Sequence, residues 1–171
     1  MKRWLQLGLT SWVVLLLGAG CAYRLGPTNG SDARSHSVQV QLFPNRTLEP
    51  RLSEPVAQAL RRQLAQEGTY QLASRGDADV LVSGELVRYE RRPVSFQPND
   101  ILQVRDYEIR LTAQVKAVRT SSGEVLLDRQ VFGRTLIQSS DDQGSAERQG
   151  VPLAADDLAR NITSLLVDGK W

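Results

Sequence analysis

Twelve residues near the middle of the chain limit its fold more than any other stretch. From Asp106 to Ala117 the side chains alternate without a fault. Tyr107, Ile109, Leu111, Ala113, Val115 and Ala117 interleave with Asp106, Glu108, Arg110, Thr112, Gln114 and Lys116. Successive side chains on a β-strand point to opposite faces, so this period specifies a strand with one dry side and one wet side. An antiparallel sheet with one open face accommodates such a strand, whereas a sheet covered on both faces calls for a continuous apolar run.

The flanking segments extend that sheet. Thr120 to Gly123 reads as a hairpin turn, after which Val125 to about Ile137 returns antiparallel. Upstream, Val80, Leu81 and Val82 open a β-branched run that continues through Gly84 to about Arg91 and predicts an interior strand. Pro93 and Pro98 then mark a loop, Pro93 to Gln103. Val38 to Leu42 alternates and ends at Phe43 and Pro44, as a half-buried strand should. A polar stretch, Asn45 to Pro50, leads into a helix with Ser53 as its cap and Pro55 in its first turn. Val56, Ala59, Leu60 and Leu64 form its apolar stripe, and Gly68 stops it. Tyr70 to Ala73 is a candidate short strand. The low hydrophobicity of Gln138 to Gly150 predicts a mobile loop. A last helix is expected from about Pro152 to Val167, with Ala155, Leu158, Ile162, Leu165 and Leu166 on one side. The expected class is α+β. It is a two-layer sandwich in which a mixed, mostly antiparallel sheet of about four strands carries two helices packed on one face.

The N-terminus has a different character. Lys2 and Arg3 precede an uncharged run from Trp4 to Gly20, and Gly18, Ala19 and Gly20 lead into Cys21. A basic start, a short apolar stretch and small residues at its end make an export signal. The thiol stands where a bacterial lipoprotein signal places the residue that receives diacylglycerol. The chain therefore divides into a signal peptide (1–20), a lipidated, flexible, Gly- and Ser-rich tether (21–37) and one α+β domain (38–171). An uncleaved anchor ending by coincidence at Cys21 is the alternative, and in either case the domain lies outside the cytoplasm. With one cysteine in the protein, an intramolecular disulfide is excluded.

Charge and composition narrow the function. Setting aside Lys2 and Arg3, two of the 21 basic residues, the remainder equals the 19 acidic ones. A near-neutral domain has no global field to attract nucleic acid. Almost all of its positive charge is arginine, whose planar fork grips phosphate and carboxylate at two points. His36, between Ser35 and Ser37, has no orienting partner in a tether, so nucleophilic catalysis is not expected. Metal-ligand clusters and nucleotide-binding glycine patterns are absent from the sequence, so no metal or cofactor is expected. The acid pairs Asp77 with Asp79, Asp141 with Asp142 and Asp156 with Asp157 read as turn and helix-start residues. Binding remains. Arg88, Arg91 and Arg92 at one strand end and Arg105 across the loop make a candidate site for lipid phosphates or an acidic protein wall. The competing reading is a solvated strand end neutralised by Glu85, Glu90 and Asp106.

Several segments carry a family resemblance. Gly20-Cys21-Ala22-Tyr23-Arg24-Leu25 resembles the start of the LptE family, lipopolysaccharide-assembly lipoproteins of Gram-negative outer membranes. Val40-Gln41-Leu42-Phe43-Pro44-Asn45-Arg46-Thr47-Leu48-Glu49-Pro50 is similar to that family's first strand and turn. Ala78-Asp79-Val80-Leu81-Val82-Ser83-Gly84-Glu85-Leu86 is similar to its second main strand, and Ser122-Gly123-Glu124-Val125-Leu126 to its hairpin. The resemblance implies a non-enzymatic outer-membrane lipoprotein, anchored at Cys21 in the inner leaflet and facing the periplasm. It further implies that the domain plugs the β-barrel LptD and helps lipopolysaccharide reach the surface. Where some relatives touch lipopolysaccharide through basic residues near strand ends, Arg91, Arg92 and Arg105 correspond only approximately, and the loop tip Phe96 to Asp100 carries no base. Two other readings stay open: a lipid-anchored lipoprotein serving another envelope machine, such as a peptidoglycan synthase or secretion apparatus, and a carrier with an apolar cavity.

Overall fold

A computed structural model describes residues 36–73, 78–139 and 143–169. The elements run β1 (His36–Val40), α1 (Ser53–Glu67), β2 (Tyr70–Leu72), β3 (Val80–Gln97), β4 (Asp100–Arg119), β5 (Val125–Gln138) and α2 (Gln143–Asp168). The strands form one sheet in the order β2-β1-β3-β4-β5. β1 lies parallel to β2 and β3, and the long strands are antiparallel. The α+β class with a mixed sheet holds, with five strands because Tyr70–Leu72 joins the edge.

The alternation in β4 decides which face is covered. Ile109, Leu111, Ala113, Val115 and Ala117 are all 0–1% exposed. They share a core with Val56, Leu60 and Leu64 of α1 and with Ala155, Leu158 and Ile162 of α2. Each large aliphatic side chain buried this way contributes about 1.5–3 kcal/mol, and here the sheet and the two helices supply those side chains together. Small residues set the spacing. Gly133 of β5 lies so close to α2 that a β-carbon would collide with the Ala154 carbonyl and the Leu158 nitrogen.

Four local expectations need correction. First, β1 begins at His36, so His36 and Ser37 belong to the sheet and not to the tether; they pair with Tyr70 and Gln71. Second, Ser53 is not the cap of α1. Leu52 occupies the N-cap with no side-chain cap bond, and its apolar side chain is buried in the core instead. At the other end Gly68 does terminate the helix, at φ 77° with its N–H donating to the Leu64 carbonyl at 3.4 Å. Third, Pro93 to Gln103 is not a loop, because β3 and β4 continue through it to a turn at Pro98 and Asn99. Proline is tolerated there because β3 beyond Leu86 has β4 on one side and, among the described strands, none on the other. Fourth, α2 starts at Gln143, so most of the stretch expected to be mobile is helical. Glu147 pairs with Arg91 at 2.6 Å, and Gly150 packs on Ile109 and Ile137.

A polar clasp ties β1 to the start of β3. The Ser37 N–H and hydroxyl donate to the Asp79 carboxylate at 2.8 and 2.9 Å, and the Asp79 N–H returns a bond to the Ser37 oxygen at 2.9 Å. The two Ser37 donors hold the Asp79 carboxyl below its ordinary range, with a smaller contribution from His36. A carboxyl whose folded pKa is depressed adds stability above its unfolded pKa and loses it as the pH falls through the folded value. Asp79→Asn is therefore expected to lower the urea midpoint at pH 7, with the gap to wild type narrowing below about pH 4. A gap independent of pH would assign the clasp no ionic character.

Candidate functional site

The face of the sheet opposite the helices carries the polar half of the β4 pattern, and register places its neighbours. Glu108 pairs with Arg92 and Leu136, Arg110 with Glu90 and Arg134, and Thr112 with Arg88 and Phe132. Directly paired residues project to the same side, so all of these share the open face. A bulge makes this possible. The register shifts between Leu86 and Arg88, and the extra residue, Val87, reverses the parity of β3. Without it Arg88, Glu90 and Arg92 would follow Leu86 into the core.

The charges on this face are layered. Glu90 accepts from Arg92 at 2.8 Å and lies 3.7 Å from Arg88; Glu108 lies 3.3 Å from Arg110 and 3.7 Å from Arg134. The carboxylate side chains are 23% and 16% exposed, while those of Arg88, Arg92 and Arg134 are 57–65% exposed. The arrangement is a floor of two half-buried carboxylates and the half-buried Arg110 under three exposed guanidiniums. The hydrogen bond from Arg92, followed by the charges of Arg92, Arg88 and Arg110, holds the Glu90 carboxyl below the usual range. Pairs this exposed add little to stability, so their consequence is positional: they aim planar donors outward. The Arg110 guanidinium lies over the Phe132 ring at 4.9 Å, and its Nε is buried without a hydrogen-bond partner. Phe132 and Leu136 add exposed apolar surface to the same face.

The four arginines anticipated as one cluster occupy different places. Arg88 and Arg92 lie on the open face. Arg91, one residue out of phase, pairs with Ile109 on the helix side, stacks over Tyr107 at 4.7 Å and bonds Glu147 at 2.6 Å. Arg105 flanks the start of the projecting hairpin, with its Nε 3.7 Å from Asp106. Beyond it the tip exposes Val94, Phe96 and Leu102. Charge content and spacing alone do not single out Arg110, Arg134, Glu108 or Phe132. The polar half of the Asp106–Ala117 alternation is the signal that contains two of them.

The other polar groups have structural partners. Asp156 bonds Arg62 of the neighbouring helix at 2.7 Å, and Asp157 accepts from Arg160 at 2.8 Å and from the Arg134 N–H at 2.9 Å. His36 is an exposed strand residue beside Tyr70. Among the described residues no three His, Cys, Asp or Glu side chains gather to hold a metal. Cys21, Asp77, Asp141, Asp142 and Trp171 lie outside the described residues.

The fold has counterparts elsewhere. Residues 35–166 match the model of the LptE lipopolysaccharide-assembly family. The chain belongs to the LptE family. That membership supports a role in lipopolysaccharide assembly. No curated protein matches it. Among solved structures, a minor lipoprotein from Acinetobacter baumannii is similar with a TM-score of 0.54 and 17% identity, covering 79% of this chain and 94% of that one. The hypothetical protein CT253 from Chlamydia trachomatis is similar at 0.54 and 10% identity, covering 78% and 96%. Protein XCC0632 from Xanthomonas campestris follows at 0.51 and 14%, covering 83% and 91%. At these identities the likeness is one of fold, and it spans nearly the whole of each relative.

Proposed function

We propose that this LptE-family protein is the plug and assembly factor of an LptD-like outer-membrane barrel and contacts lipopolysaccharide there. It is tethered to the inner leaflet by acylation of Cys21 after removal of residues 1–20. The observation that carries this reading is the open sheet face, where outward-aimed guanidiniums stand over half-buried carboxylates with no element of the chain covering them among the described residues. A barrel lumen is wet and polar, and many directional hydrogen bonds suit it better than a large apolar patch. Topology supports one orientation in this reading. β1 begins beside the start of β3, so His36 lies at the end of the sheet opposite the β3–β4 turn, and β3 alone spans about 55 Å. With the anchor preceding His36, the hairpin tip is the part that reaches farthest into the barrel. The carrier alternative finds no support in the core, because Leu60, Leu64, Leu111, Val115, Leu158 and Ile162 fill the space between sheet and helices.

The test is affinity purification of tagged full-length protein from mildly solubilised outer membrane. The expected result is a one-to-one complex with a large barrel; recovery with a peptidoglycan synthase or secretion component instead would favour the other envelope reading. Joining Pro93 to Arg105 through a two-residue turn is expected to reduce barrel or lipopolysaccharide recovery about tenfold while leaving circular dichroism and melting unchanged. Full recovery from the shortened protein would remove the tip from the interface.

A further inference from the structure

Helix α2 is two segments of unequal strength. From Ala154 onward it buries Ala154, Ala155, Leu158, Ala159, Ile162 and Leu166 against the sheet and α1. Its first turns have much less to hold them. Gly144 and Gly150 each disfavour helix by about 1 kcal/mol relative to alanine, and Arg148 and Gln149 are exposed. Pro152 sits inside the helix and has no N–H to give the Arg148 carbonyl, so the ladder is interrupted between the two segments. The contacts of the first turns with the rest of the domain include the Glu147–Arg91 pair at 2.6 Å, the close seat of Gly150 on Ile109 and Ile137, and half-buried Val151 against the core.

A side chain near the Glu147–Arg91 pair is also unusual. The Tyr89 hydroxyl, on the helix side of β3, is buried without a hydrogen-bond partner. Burial together with the nearby Glu147 and Glu49 carboxylates pushes its pKa up to about 12. Lifting the first turns would admit water to this hydroxyl, recovering a bond the closed form forgoes and making opening easier. Arg91 remains positioned after such a step by its stacking on Tyr107.

We propose that residues 143–151 form a flap, hinged at Pro152 and latched by Glu147 on Arg91, which a phosphate group opens by replacing the carboxylate on the guanidinium. A phosphate offers the same two-point geometry as a carboxylate with more charge, so the exchange needs no new cation. The inference rests on the lipopolysaccharide reading for its trigger, but the unequal helix and its latch stand without it.

Hydrogen exchange on the full-length lipoprotein in dodecyl maltoside tests both. In the free protein the amides of 144–151 are expected to exchange faster than those of 153–166. Glu147→Gln should accelerate the first group about fivefold and leave the second unchanged, while Glu147→Asp retains protection. Doping the micelles with dodecyl phosphate should reproduce the acceleration in wild type and add nothing to Glu147→Gln. An equal response to inorganic phosphate assigns the trigger to the phosphate group itself; a response to dodecyl phosphate alone assigns it to a membrane headgroup. Uniform exchange along α2, or wild type unmoved by either phosphate, overturns the proposal. Failure to recover a barrel in the purification above would leave these exchange patterns untouched, so the two readings fail separately.

Discussion

Gly133→Val is expected to cost about 3–5 kcal/mol of folding stability, read as a large fall in the urea midpoint at unchanged slope. A β-carbon at this position would collide with the Ala154 carbonyl oxygen and the Leu158 nitrogen and come within 2.6 Å of the Leu158 α-carbon. All three are helix backbone atoms and cannot rotate aside as a side chain can. To make room, α2 must lift from β5, pulling Leu158 and Ile162 out of the core and stretching two bonds that fasten the helix to the strand. Those are the Arg134 N–H to Asp157 at 2.9 Å and the Asn161 amide to the Phe132 carbonyl at 2.8 Å. Gly123→Ala is the control. Gly123 has φ 71° and open space around its would-be β-carbon, so only the conformational penalty of about 1 kcal/mol applies. Equal costs at the two positions would show that close packing against α2 is not what glycine serves at 133.

The triple substitution Arg88→Gln, Arg92→Gln and Arg134→Gln is expected to weaken association with the barrel about hundredfold and leave the fold intact. Each arginine is more than half exposed, and each pair adds little to stability, so melting should shift by only a few degrees. Binding is another matter, because the substitution removes three exposed positive charges with their two-point donor forks and leaves Glu90 and Glu108 facing the partner with fewer counter-charges. Hundredfold corresponds to about 2.7 kcal/mol, or roughly 1 kcal/mol for each arginine replaced. Raising the salt concentration should weaken the wild-type complex more than the variant one. Wild-type recovery of the barrel by the triple variant would place the docking surface elsewhere.

The elements read most easily in the sequence are those whose pattern repeats locally. The buried side of β4 is the apolar set of the Asp106–Ala117 alternation, α1 buries the predicted Val56, Ala59, Leu60 and Leu64, and Gly68 and Gly123 sit at positive φ where the helix stop and the hairpin turn are expected. The candidate site is half legible. Charge alone marks Arg88 and Arg92, but it marks Arg91 equally, because a run of neighbouring arginines says nothing about which face each one takes. The bulge at Val87 settles that, and it exists because β3 must pair with a particular register of β4.

Periodicity, charge content and turn residues are properties of a few consecutive side chains, so the strand–helix order and the one-sided sheet with its polar open face were determined by the sequence alone. Pairing across long separations carries no such local mark. The continuation of β3 through Pro93, the helical turns held by Glu147 on Arg91 and the role of Gly133 beneath Leu158 came only with the tertiary structure. In each case a weak local preference gave way to a partner on another element, distant along the chain, and only the folded molecule brings the two together.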